Sequence, residues 1–216
     1  MIVVLLGPPG AGKGTQGERV AAALGVPKIA TGDVLRAAVK AGTPLGREAK
    51  GYMDRGDLVP DAVILGIMKQ ALSAPEQARG VVLDGVVRTV PQAEGLSRVL
   101  AELGRPLDVV MLFTIGEDEL VARLSGRTVC DGCQMPFTGR APGDTHAECT
   151  HVPKGTLVRR KDDEPDAVRN RMRVYEAQTA PVIAWYRAHG ANVAEINASG
   201  ALDAITARAL QAVGKG

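Results

Sequence analysis

The fifteen residues IVVLLGPPGAGKGTQ, positions 2 to 16, constrain this chain more than any others. Residues 2–6 are a continuous apolar run without alternation, the pattern of a strand buried on both faces. The glycine-rich loop that follows opens a helix predicted over 13–24. Gly7, Gly10, Gly12 and Gly14 let backbone N–H groups turn inward around an anion, the helix N-terminus adds positive potential, and Lys13 adds a full charge. The common form of this motif, G-x-x-x-x-G-K-[ST], sets a hydroxyl directly after the lysine to ligate magnesium. Here Gly14 takes that place and Thr15 comes one residue late. A nucleoside triphosphate is the expected ligand, with Mg2+ held mainly by phosphates and water. A ligand-free glycine turn is the bland alternative, and the strand before the loop and the lysine within it argue against that.

The strand signal recurs at 81–84 (VVLD), 109–113 (VVMLF) and 192–196 (NVAEI), with a short strand expected at 28–30. Helical patterns fall between them at 61–74, 91–103, 117–125, 165–188 and 201–213. Strands alternating with helices imply a parallel sheet covered on both faces. Two stretches break the alternation. Residues 31–60 hold short helical pieces punctuated by Gly and Pro, and residues 126–163 hold the cysteines without a long periodic element. The expected organisation is an α/β core made of 1–30, 61–125 and 164–216, a helical insertion at 31–60, and a second small insertion at 126–163. At 216 residues one main domain is expected.

Net charge is +2, too small to argue for a nucleic-acid or membrane surface. Met1 is followed directly by the apolar run, with no charged leader and no stretch long enough to span a bilayer, so a cytoplasmic protein is expected. The three cysteines lie within one short segment, which points to a metal cluster or reactive thiols rather than a secreted disulfide framework.

Further motifs follow in order. ATGDVLR at 30–36 offers Thr31 or Asp33 as a helix cap and Arg36 as a phosphate ligand. It runs on into AAVKAGTPLGREAKGYMDRGDLVPDAVI. LDGVVRT at 83–89 lies at the end of a strand, where ligands sit in open α/β sheets. LVARLSGR at 120–127 sets Arg123 and Arg127 four apart, the spacing of one helix face. RRKDDEPDAVRNRM at 159–172 brings four further arginines and Pro165, which suits a first helical turn.

GPPGAGKGTQ resembles the loop of the nucleoside monophosphate kinases, and LDGVVRT is similar to their DGFPRT element, with Val86 and Val87 in place of Phe-Pro. The remaining motifs also resemble that family in the same order, its adenylate kinase branch above all. The resemblance implies a three-layer α/β/α P-loop fold with a parallel five-stranded sheet, in which 31–60 closes over AMP and 126–163 forms a lid over ATP. Gly56 and Gly126 are plausible hinge material.

The implied ATP site is Gly10, Ala11, Gly12, Lys13, Gly14, Thr15, Arg123 over the adenine, and Arg127 at the phosphates. The implied AMP site is Thr31, Arg36, Asp57, Leu58, Val59, Gly85, Arg88, Gln92 against the adenine, Arg160 and Arg171. Asp84 holds water around magnesium, while Asp162 and Asp163 orient the arginines. With Lys13, these groups would transfer a phosphoryl group from MgATP to AMP, giving two ADP, and a monomer is expected. No protein base is needed, because the AMP phosphate already carries an anionic nucleophile.

CDGC at 130–133 and HAEC at 146–149 give C-x2-C-x12-H-x2-C, a spacing suited to a structural Zn2+ site of Cys130, Cys133, His146 and Cys149. His151 is the alternative fourth ligand. Two rival readings are a UMP or CMP kinase and a nucleotide-dependent switch without phosphoryl transfer. A zinc-ribbon module that binds nucleic acid would need a strongly basic lid, and 126–163 is nearly balanced in charge.

Overall fold

The computed structural model describes residues 1–215. Ile2–Leu6 is strand β1, buried along its whole length. The loop leads into α1 (Lys13–Leu24), then β2 (Lys28–Ala30), α2 (Thr31–Lys40), α3 (Pro44–Arg55) and α4 (Asp61–Leu72). Next come β3 (Val81–Asp84), α5 (Val90–Glu102), β4 (Val109–Thr114) and α6 (Glu117–Ser125). Short strands β5 (Arg127–Cys130), β6 (Pro136–Thr138) and β7 (Leu157–Val158) precede α7 (Pro165–Val174), α8 (Ala180–Ala188), β8 (Val193–Asn197) and α9 (Leu202–Gln211).

The main sheet has five strands in the order β2-β3-β1-β4-β8, all parallel. Alternate residues of β1 feed two separate cores. Ile2, Val4 and Leu6 pack with residues of α4, α5 and α8, whereas Val3 and Leu5 pack with α1 and α9. A strand with helices on both sides needs apolar residues at every position, which is why the run is unbroken. Because every connection between these strands crosses over a face, their carboxyl ends point the same way and the loops leaving β1, β2 and β3 converge.

Three features differ from the sequence reading. Residues 127–158 contain a three-stranded antiparallel sheet, β6-β5-β7, where no strand was expected. The helix expected over 165–188 is divided by a π-helical turn at Tyr175–Thr179, and the Ala180 N–H reaches back five residues to the Tyr175 carbonyl. Pro181 explains the division: it has no N–H to donate, and its ring would press on the carbonyl four residues earlier. Arg123 and Arg127 do not share a helix face, since α6 ends before Gly126 and Arg127 is the first residue of β5.

Candidate active site

The loop after β1 wraps around the start of α1. Gly7 has a φ of +138°, and a side chain there would stand 2.5 Å from the Phe113 carbonyl oxygen, so the turn accepts only glycine. Helix α1 has no side-chain cap at Gly12 and no acidic residue in its first turn, which leaves its N-terminal N–H groups for an anion. Lys13 Nζ donates to the carbonyls of Gly7 at 2.7 Å and Pro8 at 2.8 Å. Burial lowers the Lys13 pKa to about 8, with Asp84 opposing the shift and Arg88, Arg171 and Arg127 adding to it. The departure at Gly14 has a structural counterpart: a Cβ there would come to 3.4 Å from Asp84 Oδ2, so the place of the usual hydroxyl faces this carboxylate.

The Gly85–Arg88 turn at the end of β3 is pinned by side chains from three other elements. Thr31 Oγ1 donates to the Gly85 carbonyl at 2.7 Å, Gln92 Oε1 accepts from the Arg88 N–H at 2.7 Å, and Thr179 Oγ1 donates to the Arg88 carbonyl at 2.9 Å. Thr31 is therefore the first residue of α2 rather than its cap, and Asp33 pairs with Arg36 instead of capping. Gln92 is buried and its Nε2 donates to Asp61 Oδ1 at 2.7 Å, so it shapes the wall while one N–H and one lone pair stay open for a base. Val86 and Val87 both lie in the core, and Val87 also lines the cleft.

Arginines reach this turn already paired. Arg127 Nε donates to Asp163 Oδ2 at 2.7 Å, and its Nη2 bonds the other oxygen. Arg160 grips Asp162 in the same two-pronged way. Arg171 Nη1 contacts Asp162 at 3.2 Å and Asp163 at 3.1 Å. Burial lowers Arg36, Arg88 and Arg171, the last to about 10. Burial also opposes the charge of Arg160 and of Asp162, but each is outweighed by its partners: Asp162 raises Arg160, while Arg160 and Arg171 hold Asp162 well below the usual carboxylate range. Arg123 lies beside the loop, its Nη2 bonded to Glu119 at 2.6 Å and to the Ala198 carbonyl at 2.8 Å.

Two adjoining cavities result. One, open to solvent, is bounded by Gly7, Lys13, Arg88 and Arg171. The other, also open, is lined by every residue of the expected AMP site: Thr31, Arg36, Asp57, Leu58, Val59, Gly85, Arg88, Gln92, Arg160 and Arg171. Arg88 and Arg171 face both. Over the cleft, Lys40 Nζ donates to the Asp131 carbonyl at 3.3 Å, so the two insertions touch. Sequence reasoning missed Asp61, Asn170 and Thr179. Asn170 holds the Arg55 carbonyl at 2.8 Å and Asp57 Oδ1 at 2.7 Å; Asp61 and Asn170 lie within the quoted motif stretches without being singled out, and Thr179 lies outside them all.

The cysteine cluster forms in the small sheet. Donor atoms of Cys130, Cys133, His146 and Cys149 all lie within 4.8 Å of one another, and His151 is exposed outside this group. Cys130 and Cys149 sulfurs stand 3.7 Å apart and Cys133 Sγ lies 3.2 Å from His146 Nε2. A tetrahedral zinc with Zn–S near 2.3 Å has S···S edges of about 3.8 Å, so the donors fit. His146 Nδ1 is 3.1 Å from Glu148 Oε2, which leaves Nε2 as the ligating nitrogen. N–H groups of Gly155 and His151 lower the Cys149 pKa to about 6, favouring the thiolate a metal needs.

The family model for adenylate kinase matches residues 5–191. The chain is 67% identical over 214 residues to an adenylate kinase of Gemmatimonas aurantiaca, covering 99% of both chains. It is 44% identical over 214 residues to one of Geobacter sp. strain M21, again with 99% of both covered. A third, of Thermodesulfovibrio yellowstonii, is 46% identical over 206 residues and 95% of each chain. Among the described residues no helix is long and apolar enough to cross a membrane.

Proposed function

The chain belongs to the adenylate kinase family, and we propose that the two adjoining cavities divide its reaction between them, ATP on the side of the glycine loop and AMP on the side of α2 and α3. The reaction is the reversible transfer of the terminal phosphoryl group from MgATP to AMP, giving two ADP. The observation that carries the division is that Arg88 and Arg171 face both cavities. A phosphoryl group moving between two nucleotides needs positive charge at the junction, where negative charge spreads over its equatorial oxygens.

Lys13 and the N–H groups of Gly10–Thr15 hold the outer phosphates of ATP, with Arg127 closing over them and Arg123 over the adenine. Arg36, Arg88, Arg160 and Arg171 hold the AMP phosphate so that its oxygen faces the terminal phosphorus. Thr31, Asp57, Leu58, Val59, Gly85 and Gln92 shape the rest of the AMP cavity, with Gln92 against the adenine. Asp84, whose carboxylate faces Gly14, would hold the water ligands of magnesium bound to ATP, an ion that would supply neutralisation of phosphate charge. The contact of Lys40 with Asp131 supports a reading in which 31–60 and 126–163 move as covers of the cleft and exclude water. Cys130, Cys133, His146 and Cys149 hold a structural zinc that staples a lid with little core of its own. A cytoplasmic location fits three unpaired thiols kept reduced for a metal, and the protein is proposed to act as a monomer.

The test is the initial rate of ADP formation from ATP with AMP, GMP, UMP or CMP as acceptor. AMP should be preferred, with two ADP formed per AMP consumed. ADP release without an acceptor, or preference for UMP, would overturn the reading.

A further inference from the structure

We propose that Thr179, presented by the π-helical turn between α7 and α8, is a positioning residue for Arg88 in the AMP cavity. The inference rests on the reading of Arg88 as a ligand of the AMP phosphate.

Arg88 ends a turn that begins at Gly85, and its guanidinium can aim at a phosphate only if this backbone is fixed. Two of the backbone restraints come from nearby or expected places: Thr31 on the Gly85 carbonyl, and Gln92, four residues on, for the Arg88 N–H. The Arg88 carbonyl is different. Its partner is the Thr179 hydroxyl at 2.9 Å, ninety-one residues away in sequence. Val86 and Val87 anchor the middle of the turn by apolar burial alone, so these side-chain hydrogen bonds set the orientation of its polar ends.

The π turn puts Thr179 where it is. An unbroken α-helix through Pro181 would carry a clash and an unfilled carbonyl, and widening by one residue around Tyr175–Thr179 relieves both. That extra residue rotates the side chains ahead of Pro181 relative to an ideal helix. Thr179 becomes 7% exposed, lies at the glycine-loop cavity rather than the AMP one, and spends its hydroxyl on the turn whose Arg88 faces both. A hydroxyl on a helix more commonly bonds the carbonyl a turn earlier in its own helix. Here it leaves the helix for a functional loop.

Thr179→Val keeps the shape of the side chain and removes the hydroxyl, and Thr179→Ser keeps the hydroxyl. Steady-state kinetics and direct titration of AMP and ATP on the full-length protein, with thermal unfolding alongside, read the outcome. Thr179→Val should raise KM and Kd for AMP about fivefold, the scale of one lost hydrogen bond, and change those for ATP less than twofold. Thr179→Ser should recover most of the affinity. Arg88→Ala should cost far more, and adding Thr179→Val to it should cost nothing further, because the threonine acts through the arginine.

AMP constants unchanged in Thr179→Val while Arg88→Ala loses AMP would overturn the inference and leave the reading of Arg88 intact. A fivefold loss that persists in the Arg88→Ala background, or equal losses for both nucleotides with a lowered Tm and no rescue by serine, would overturn it as well. Undiminished AMP binding in Arg88→Ala would remove the reading of Arg88 and the inference with it.

Discussion

Lys13 lies partly buried in the concavity of the loop, hydrogen-bonded to two carbonyls, and burial is the first reason its pKa falls to about 8. At pH 7 about nine in ten free molecules then carry the charge, and at pH 9 about one in ten. A triphosphate binds the charged form, and kcat/KM for ATP reports groups of the free enzyme. It should bend downward near pH 8 and reach about a tenth of its plateau at pH 9. kcat reports the enzyme with both nucleotides bound, where phosphate charge raises the lysine again, so it should hold to higher pH. Stability should move the opposite way. The folded value lies below the ordinary 10.5, so between about 8 and 10.5 the unfolded chain binds more protons and the nucleotide-free protein gains stability from this group as pH rises. Initial rates from pH 6.5 to 9.5 at fixed ionic strength and free magnesium, with an NMR titration of the Lys13 ammonium, measure both sides. A kcat/KM profile flat to pH 9.5, or a Lys13 midpoint at or above 10, refutes the reasoning.

Metal analysis of purified protein should find about one zinc per chain, and chelation should lower Tm before it lowers turnover, because the residues proposed to hold phosphate are not among the cluster's four. His146→Ala should lose the metal and His151→Ala should keep it; the reverse would reassign the fourth ligand. Gly46→Ala would put a Cβ 2.1 Å from the Ala38 carbonyl oxygen, forcing α3 away from α2, so the KM for AMP should rise several-fold more than that for ATP in steady-state assays. Val86→Phe enlarges a side chain that is 1% exposed in the core beneath the Arg88 turn, and urea unfolding should show a cost of about 1–3 kcal/mol. An unchanged unfolding midpoint would show that this wall yields.

The five-stranded sheet was legible because parallel strands buried on both faces leave uninterrupted apolar runs, as IVVLL and VVMLF do. Strands β5, β6 and β7 escaped notice because they are two to four residues long, too short to show a period of two. Their order comes from backbone pairing and the convergent cysteines rather than from periodicity. The placing of Arg127 on the helix of Arg123 failed for a definite reason: a spacing of four puts residues on one face only while the helix continues, and Gly126 ends it. Charged residues that line the cavities carried motif signals, whereas Thr179, Asp61 and Asn170 bond backbone or side chains far away in sequence. Only the fold brings those partners together.

The pairing of arginine with aspartate explains how a chain of net charge +2 gathers Lys13, Arg36, Arg88, Arg160 and Arg171 around one cleft, with Arg127 joined to them through Asp163. Cations so close would repel one another and scatter in the absence of phosphate, and Asp33, Asp162 and Asp163 remove most of that repulsion. The geometry matters as much as the charge. Arg127 and Arg160 each give Nε and Nη2 to their carboxylate, a side-on grip that leaves Nη1 with both of its hydrogens open. Arg171 does the converse, spending Nη1 on the aspartates and keeping Nε and Nη2. The aspartates therefore fix where each guanidinium points and leave it donors for phosphate. Arg160 and Arg171 hold Asp162 far below the usual carboxylate range, so its carboxylate stays charged beside them at neutral pH. On the proposed assignment of these arginines, the phosphates would meet donors already aimed, with little reorganisation left for the moment of transfer.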